Sequence, residues 1–280
     1  MPELPEVETV RRTLIPTIAG KRVTRVETGR LRLRFPIPAA LKRLPGARVQ
    51  GADRRGKVLL LRFGGPARTA DRTVLIHLGM SGRLFAQQVR RPPAWEKHEH
   101  VRIHLGSTLL RYLDPRRFGS VEITATGSVA EHPRVRNLGL EPFDPAFDGD
   151  FLRTALRGRR APLRDLLLLG RIVAGVGNIY ANEACYRAGV RPQRAAGRLT
   201  GKQADALART IGEVLREAID AGGTTLADGG YTDARGEAGR FQRRLYVYGR
   251  DGEPCLVCAT LIRRARISPR GLFYCPTCQR

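Results

Sequence analysis

The sequence predicts an α+β multidomain protein: an N-terminal β-sandwich with a leading helix, a helical middle domain, and a C-terminal β-hairpin zinc finger. Three observations carry that prediction. Apolar and polar residues alternate with period two through much of the first 125 residues, and from about residue 130 the apolar positions take helical spacing. The last forty residues hold two C-x2-C pairs. The expected boundaries are 1–129, 130–241 and 242–280.

The opening "MPELPEVETVRRTL" reads as a helix. Pro5 suits its first position, where a fixed φ and a missing N–H cost nothing, and Val7, Val10 and Leu14 share one face. Pro2 stands too early to serve that helix. "TRVETGRLRLRF" reads as a strand with Arg30, Arg32 and Arg34 on one face and Leu31, Leu33 and Phe35 on the other. "GKVLLLRFG", "TVLIHLGMSGRLF", "HVRIHLGSTLLRYL" and "GSVEITATG" supply further strands joined by Gly- or Ser-containing turns. "DGDFLRTALRGR", "APLRDLLLL", "NIYANEACYRAG" and "TGKQADALARTIGEVLREAIDAGG" read as helices. The last carries an apolar stripe of Leu207, Ile211, Val214, Leu215 and Ile219, and Gly222-Gly223 ends it. "LADGGYTDARGEAGRFQ", Gly-rich and weakly apolar, is expected to be a mobile loop. Cys185, on a predicted helix, is expected as a buried small hydrophobe.

Fifty basic against twenty-six acidic residues give a formal charge of +24 over 280 residues. Polyanions are the natural partners of such a chain. The N-terminus is acidic and Pro-rich, and no long uncharged apolar run occurs, which argues against a signal peptide, a membrane span or a membrane partner. Only five of the basic residues are lysines: Lys21, Lys42, Lys57, Lys97 and Lys202. Lys, unlike Arg, can lose its proton within reach of neutral pH, so these few are candidates for chemistry.

Cys255, Cys258, Cys275 and Cys278 form C-x2-C, sixteen residues, C-x2-C, within the spacing of zinc sites. Each pair can aim two thiolates at one ion, and the intervening stretch is long enough for a hairpin to return. Four thiolates leave no open position, so one structural Zn2+ per chain is expected. Eight arginines surround it against Asp251 and Glu253, which reads as a nucleic-acid contact.

"PELPEVETV", "DPRRFG" at 114–119, "GVGNIYANEA" at 175–184, "GGTTL" at 222–226 and the four-cysteine unit occur in one order. Together they resemble the formamidopyrimidine-DNA glycosylase family of bacterial repair enzymes, and the resemblance spans essentially the whole chain. It implies a DNA glycosylase and abasic-site lyase of base excision repair, acting on 8-oxoguanine and formamidopyrimidines opposite cytosine. It gives Pro2 a purpose: once Met1 is removed, its secondary amine is the nucleophile. An α-amino group with a pKa near 8 is partly unprotonated at neutral pH, which an ordinary Lys amine is not. Attack at C1′ displaces the base and leaves an iminium, and β- and then δ-elimination follow.

The resemblance assigns further roles. Glu3 is the general acid that protonates the sugar ring oxygen. Lys57 reaches the DNA backbone near the lesion and assists β-elimination. Arg270 grips the phosphates flanking the lesion and helps δ-elimination. Met80 and Phe118 fill the hole left by the flipped nucleotide, and Arg116 meets the orphaned cytosine. His98, Arg159 and Asn178 contact DNA, Asn178 at a helix start whose N–H groups suit a phosphate. His77, His100, His104 and His132 receive no role. The partner is double-stranded DNA with oxidised bases or abasic sites, the enzyme a monomer, its place the bacterial cytoplasm, nucleoid-associated when engaged on DNA.

Three departures stand out. Arg164 occupies a position where the family commonly has Lys, "LLLLGRIVAG" replaces a usual Leu-Asp-Gln, and Leu272 stands where Thr is common. Two other readings fit part of the pattern: an endonuclease VIII-type enzyme for oxidised pyrimidines, whose members tend to read "PEGPE", and a non-catalytic zinc-hairpin DNA-binding protein.

Overall fold

The computed structural model describes residues 2–65, 71–226, 230–265 and 270–280. They form two compact units, one of residues 1–136 with 221–240, the other of 137–220 with 241–280.

The first unit is a β-sandwich with a helix against it. Helix α1 (Leu4–Ile18) is followed by strands β1 (Arg25–Thr28), β2 (Arg48–Arg55), β3 (Val58–Gly64), β4 (Arg72–His77), β5 (Arg83–Gln88), β6 (Glu99–Leu105), β7 (Thr108–Leu113) and β8 (Ser120–Ala125). They pair antiparallel into two four-stranded sheets, in the orders β1-β6-β7-β5 and β2-β3-β4-β8. Val7, Val10 and Leu14 of α1 join Leu59, Leu61, Val74, Ile76, Val101, Ile103 and Leu110 in one core. The helical stripe and both inner sheet faces thus bury one another, as a half-polar helix and two-faced strands must.

The predicted strand through residue 35 stops at Thr28. Its partner β6 begins at Glu99, and after the Gly29 N–H bonds the His100 carbonyl (2.9 Å) no further ladder is available. Leu33 is buried, but Leu31 and Phe35 are exposed. The alternation in the sequence was real, yet no edge remained for it to pair with.

The predicted mobile loop also differs. Residues 227–229 lie outside the described residues, but Tyr231 and Ala234 are buried in the sandwich core. The Tyr231 hydroxyl is 3.2 Å from the Gly222 carbonyl and 3.3 Å from that of Glu6, and the Ala234 N–H donates to the Thr13 hydroxyl (3.1 Å). Two apolar anchors in a Gly-rich stretch suffice to hold 230–240 on α1, which is why this segment belongs to the first unit.

The second unit holds α2 (Gly149–Leu156), α3 (Leu163–Leu168), α4 (Asn178–Arg187), α5 (Gly201–Asp220), β9 (Arg263–Ala265) and β10 (Leu272–Tyr274). Leu207, Ile211, Val214, Leu215 and Ile219 of α5 are all buried, as is Cys185 on α4. Strands β9 and β10 pair as an antiparallel hairpin, with residues 266–269 between them outside the described residues.

Candidate nucleic-acid interface and active site

Pro2 and Glu3 are buried at the start of α1, and Glu3 with Glu6 forms a capping box. Oε2 of Glu6 accepts the Glu3 N–H (2.7 Å), and Oε1 accepts the Thr224 N–H (2.7 Å). One carboxylate therefore fixes the backbone beside Pro2 and ties it to "GGTTL". Gly223 is required there, because it has φ +85° and a Cβ on it would stand 2.9 Å from Glu6 Oε1.

Lys57 occupies the tip of a two-residue turn between β2 and β3, where Arg55 pairs with Val58 and Gly56 takes φ +55°. The turn is tied to α1. Arg54 reaches Glu8 (3.4 Å) and donates to the Gly56 carbonyl (2.8 Å). Burial pushes the Glu8 carboxyl up, but hydrogen bonds from Arg11 and Arg12, with Arg54 nearby, outweigh it and hold it at about 2.

Strand register gathers the remaining predicted residues of this unit at one end of the sandwich. His77, at the end of β4, pairs with Val58 on one side and Ser120 on the other, so the turns bearing Lys57, Met80 and Phe118 neighbour one another. In the other sheet Leu113 of β7 pairs with Arg83 and Glu99, which brings in His98 and the "DPRRFG" turn. Asp114 organises these loops. Its carboxylate accepts from the Ser81 hydroxyl (2.7 Å) and the Gly119 N–H (2.8 Å), while Ser81 Oγ accepts the Arg116 N–H (3.0 Å). The Asp114 N–H donates to the His98 carbonyl (2.9 Å). Gly79 packs so closely that a Cβ would meet the Gly119 nitrogen at 2.5 Å.

Phe118 is 45% exposed, with the Arg116 guanidinium 5.3 Å from its ring centroid. By residue type alone Phe118 would be core. Burial, with Arg134 and Lys57 close by, pushes the His77 imidazole down to about 4. Asp114 and Ser81 escaped the sequence reading. The signal available was their place in the Gly-rich loops "LGMSG" and "LDPRRFG" at strand ends.

In the second unit, Asn178 begins α4 after an extended Gly177. Its amide is engaged inside the protein: Oδ1 accepts from Arg164 (3.0 Å), and Nδ2 donates to the Gly271 carbonyl (3.0 Å). Arg164 is fully buried and also reaches the Arg270 carbonyl (3.4 Å) and Asp165 (3.0 Å). The Lys-to-Arg departure thus supplies a forked donor that holds the hairpin backbone at Arg270. Leu272, the other departure on the hairpin, is buried. Further along α4, Asn182 Oδ1 accepts the Phe273 N–H (2.8 Å), and Glu183 accepts the N–H groups of Tyr246, Val247 and Tyr248 (2.9–3.0 Å). Asn182 and Glu183 were not singled out by sequence, although polar residues on a helix buried nearly all round are a usable signal. Arg159 is exposed on the turn after α2, its carbonyl accepting the Gly197 N–H (2.8 Å).

The four cysteine Sγ atoms lie within 4.8 Å of one another, with Cys258–Cys275 at 3.4 Å and Cys255–Cys278 at 3.9 Å. A tetrahedral ZnS4 centre with bonds of about 2.3 Å has S–S edges of about 3.8 Å. The donor set fits that ion.

Family models match three stretches: the formamidopyrimidine-DNA glycosylase N-terminal domain over residues 1–121, its H2TH domain over 138–229, and a zinc finger found in FPG and IleRS over 252–280. Formamidopyrimidine-DNA glycosylase of Paraburkholderia phymatum is 44% identical over 284 residues, covering all of both chains. The chain belongs to the formamidopyrimidine-DNA glycosylase family. Two Lactococcus lactis Fpg structures are each 33% identical over all of both chains. One, a mutant complexed with Fapy-dG-containing DNA, aligns with a TM-score of 0.89, and the other, complexed with abasic-site DNA, with 0.88. The matched finger and the thiolate geometry together assign one structural zinc to Cys255, Cys258, Cys275 and Cys278. Among the described residues, no helix is long and apolar enough to cross a membrane.

Proposed function

We propose that this chain is a base-excision repair glycosylase and abasic-site lyase, which removes 8-oxoguanine and formamidopyrimidines opposite cytosine and then cuts the strand on both sides. Family membership supports the reaction class, and relatives complexed with Fapy-dG and abasic DNA support the substrate class. One observation carries the mechanism: Pro2 and Glu3 are buried together, and Glu6 clamps the backbone beside them to Thr224.

In this reading Met1 is removed and the Pro2 nitrogen attacks C1′. The C1′–N9 bond breaks, the base departs with the electron pair and a proton, and Pro2 loses its N–H proton. The nitrogen lone pair then forms C1′=N+ as the C1′–O4′ bond opens, with Glu3 giving its proton to O4′. The iminium acidifies C2′, and loss of that proton expels the 3′ phosphate. A second elimination breaks the C5′–O5′ bond. Lys57 and Arg270 stabilise the phosphates that leave. Met80 and Phe118 fill the vacated stack, and Arg116 hydrogen-bonds the orphaned base. His98 and Arg159 bind phosphates, and Asn178 contributes the N–H groups of its helix start, its amide being committed to Arg164 and Gly271. A monomer in the bacterial cytoplasm, at the nucleoid when engaged, fits this activity.

The test is strand cleavage of end-labelled duplexes carrying 8-oxoguanine opposite cytosine, an oxidised pyrimidine, or no damage. Cleavage of the first, leaving phosphate at both ends of the gap, is expected. Cleavage confined to the pyrimidine duplex would move the chain to the endonuclease VIII branch. Binding with no cleavage of either would leave a DNA-binding protein only.

A further inference from the structure

Beside His98, at the same end of the sandwich as Lys57 and Phe118, the first unit has an open cleft of about 480 Å³, lined by residues 27–31 and 95–99. One wall is rigidly built. The buried Arg102 guanidinium is held bidentately by Glu99 (both 2.7 Å) and donates to the Pro93 and Ala94 carbonyls (both 2.8 Å). It lies 4.2 Å from the Trp95 ring centroid, so one face of the indole is covered while Trp95 remains 41% exposed along the cleft.

The charges are sorted. Glu27 pairs with Arg25 (2.7 Å) and His104 (2.6 Å), Glu96 with Arg111 (2.7 Å), and Glu99 with Arg102 and Arg111 (2.7–2.8 Å). Arg30 and Lys97 are exposed and have no acidic partner among the described residues. His98 takes φ +68°, and its Nδ1 is buried without a hydrogen-bond partner among the described residues. Every carboxylate of the cleft is therefore neutralised, and two cations, an imidazole nitrogen and an indole remain for a ligand.

We infer that this cleft binds one nucleotide of a DNA strand outside the lesion pair, its phosphate between Arg30, Lys97 and His98 and its base against Trp95. Unpaired cations beside an aromatic platform are the recurring chemistry of single-strand binding. The inference rests on the DNA-repair reading, and it adds a subsite that the nucleophile and the void-filling loops do not use.

Trp95 is the one tryptophan in the 280-residue chain, so all tryptophan emission reports from this cleft. The zinc-loaded protein is titrated with an undamaged eight-residue oligothymidylate while emission is read. Saturable quenching is expected. The doubly substituted Arg30→Ser, Lys97→Ser protein should need more oligonucleotide, and its slope of log affinity on log salt should be shallower by about 0.7 to 1.4, for one or two phosphates lost. Separate samples receive an abasic duplex and borohydride. A trapped adduct with unchanged emission on titration would overturn the cleft and leave the enzyme reading standing. Quenching without any adduct would support the cleft and overturn that reading. Equal quenching by inorganic polyphosphate, which has no base, would overturn the stacking on Trp95.

Discussion

Glu6 and Glu183 show one device used for two ends. Each is a buried glutamate whose carboxylate accepts backbone N–H groups from a distant segment. Glu6 takes Glu3 and Thr224, and Glu183 takes Tyr246, Val247 and Tyr248. In the second unit the device secures scaffold: it holds the approach to the zinc hairpin on a helix that also grips it through Asn178 and Asn182. In the first unit the same chemistry stands directly behind Pro2. A fixed carboxylate can thus stabilise a fold or set the position of a nucleophile, and the neighbour decides which.

The comparison breaks most completely if the hairpin itself is lost. Structural zinc supplies on the order of 10 kcal/mol of folding free energy to such small units. Stripping the metal should unfold the hairpin and abolish DNA binding, read by gel shift alongside a zinc assay. Full binding by metal-free protein would show that the second unit does not depend on it.

Next come the carboxylates. Glu183→Ala leaves three N–H groups without their acceptor and should cost about 3 kcal/mol or more in denaturant unfolding. Glu6→Gln is milder for the fold, at about 1–2 kcal/mol, because each oxygen serves one N–H and the amide must turn its NH2 toward one of them. Its larger effect should fall on chemistry, with covalent trapping slowed about 100-fold, as expected when a reacting group is displaced by a fraction of an ångström. Glu6→Gln protein that traps at the native rate would reduce Glu6 to a second scaffold residue.

The smallest effect is pH dependence, and it belongs to the first unit. His77 falls from 6.5 to about 4 because burial, then Arg134 and Lys57, disfavour its proton. The unfolded chain binds that proton first, so stability should fall between pH 6.5 and 4, by about 3 kcal/mol at most. Glu8 and Glu99 are held at about 2 against 4.5; their contribution is present above 4.5 and fades between 4.5 and 2. His77→Asn should flatten the upper window and leave the lower one intact.

Periodicity and spacing made most of the fold legible. The α1 and α5 stripes and the four cysteines depend on local sequence, and local sequence suffices for them. The strand drawn through 29–35 failed because pairing depends on where β6 begins, seventy residues away. The 230–240 segment failed because Tyr231 and Ala234 find their core on α1, which composition does not record. Of the site, the motif residues were visible, while Glu6, Asp114, Ser81, Asn182 and Glu183 matter through backbone groups they hold, and a sequence shows no such partners.

The central claim is that the amine of Pro2 carries the reaction. The most direct measurement is peptide mapping, by mass spectrometry, of protein reduced with borohydride on an 8-oxoguanine:cytosine duplex. The account predicts a chain lacking Met1 with the sugar fragment on residue 2. A fragment on Lys57 or any other lysine, with Pro2 unmodified, would contradict it.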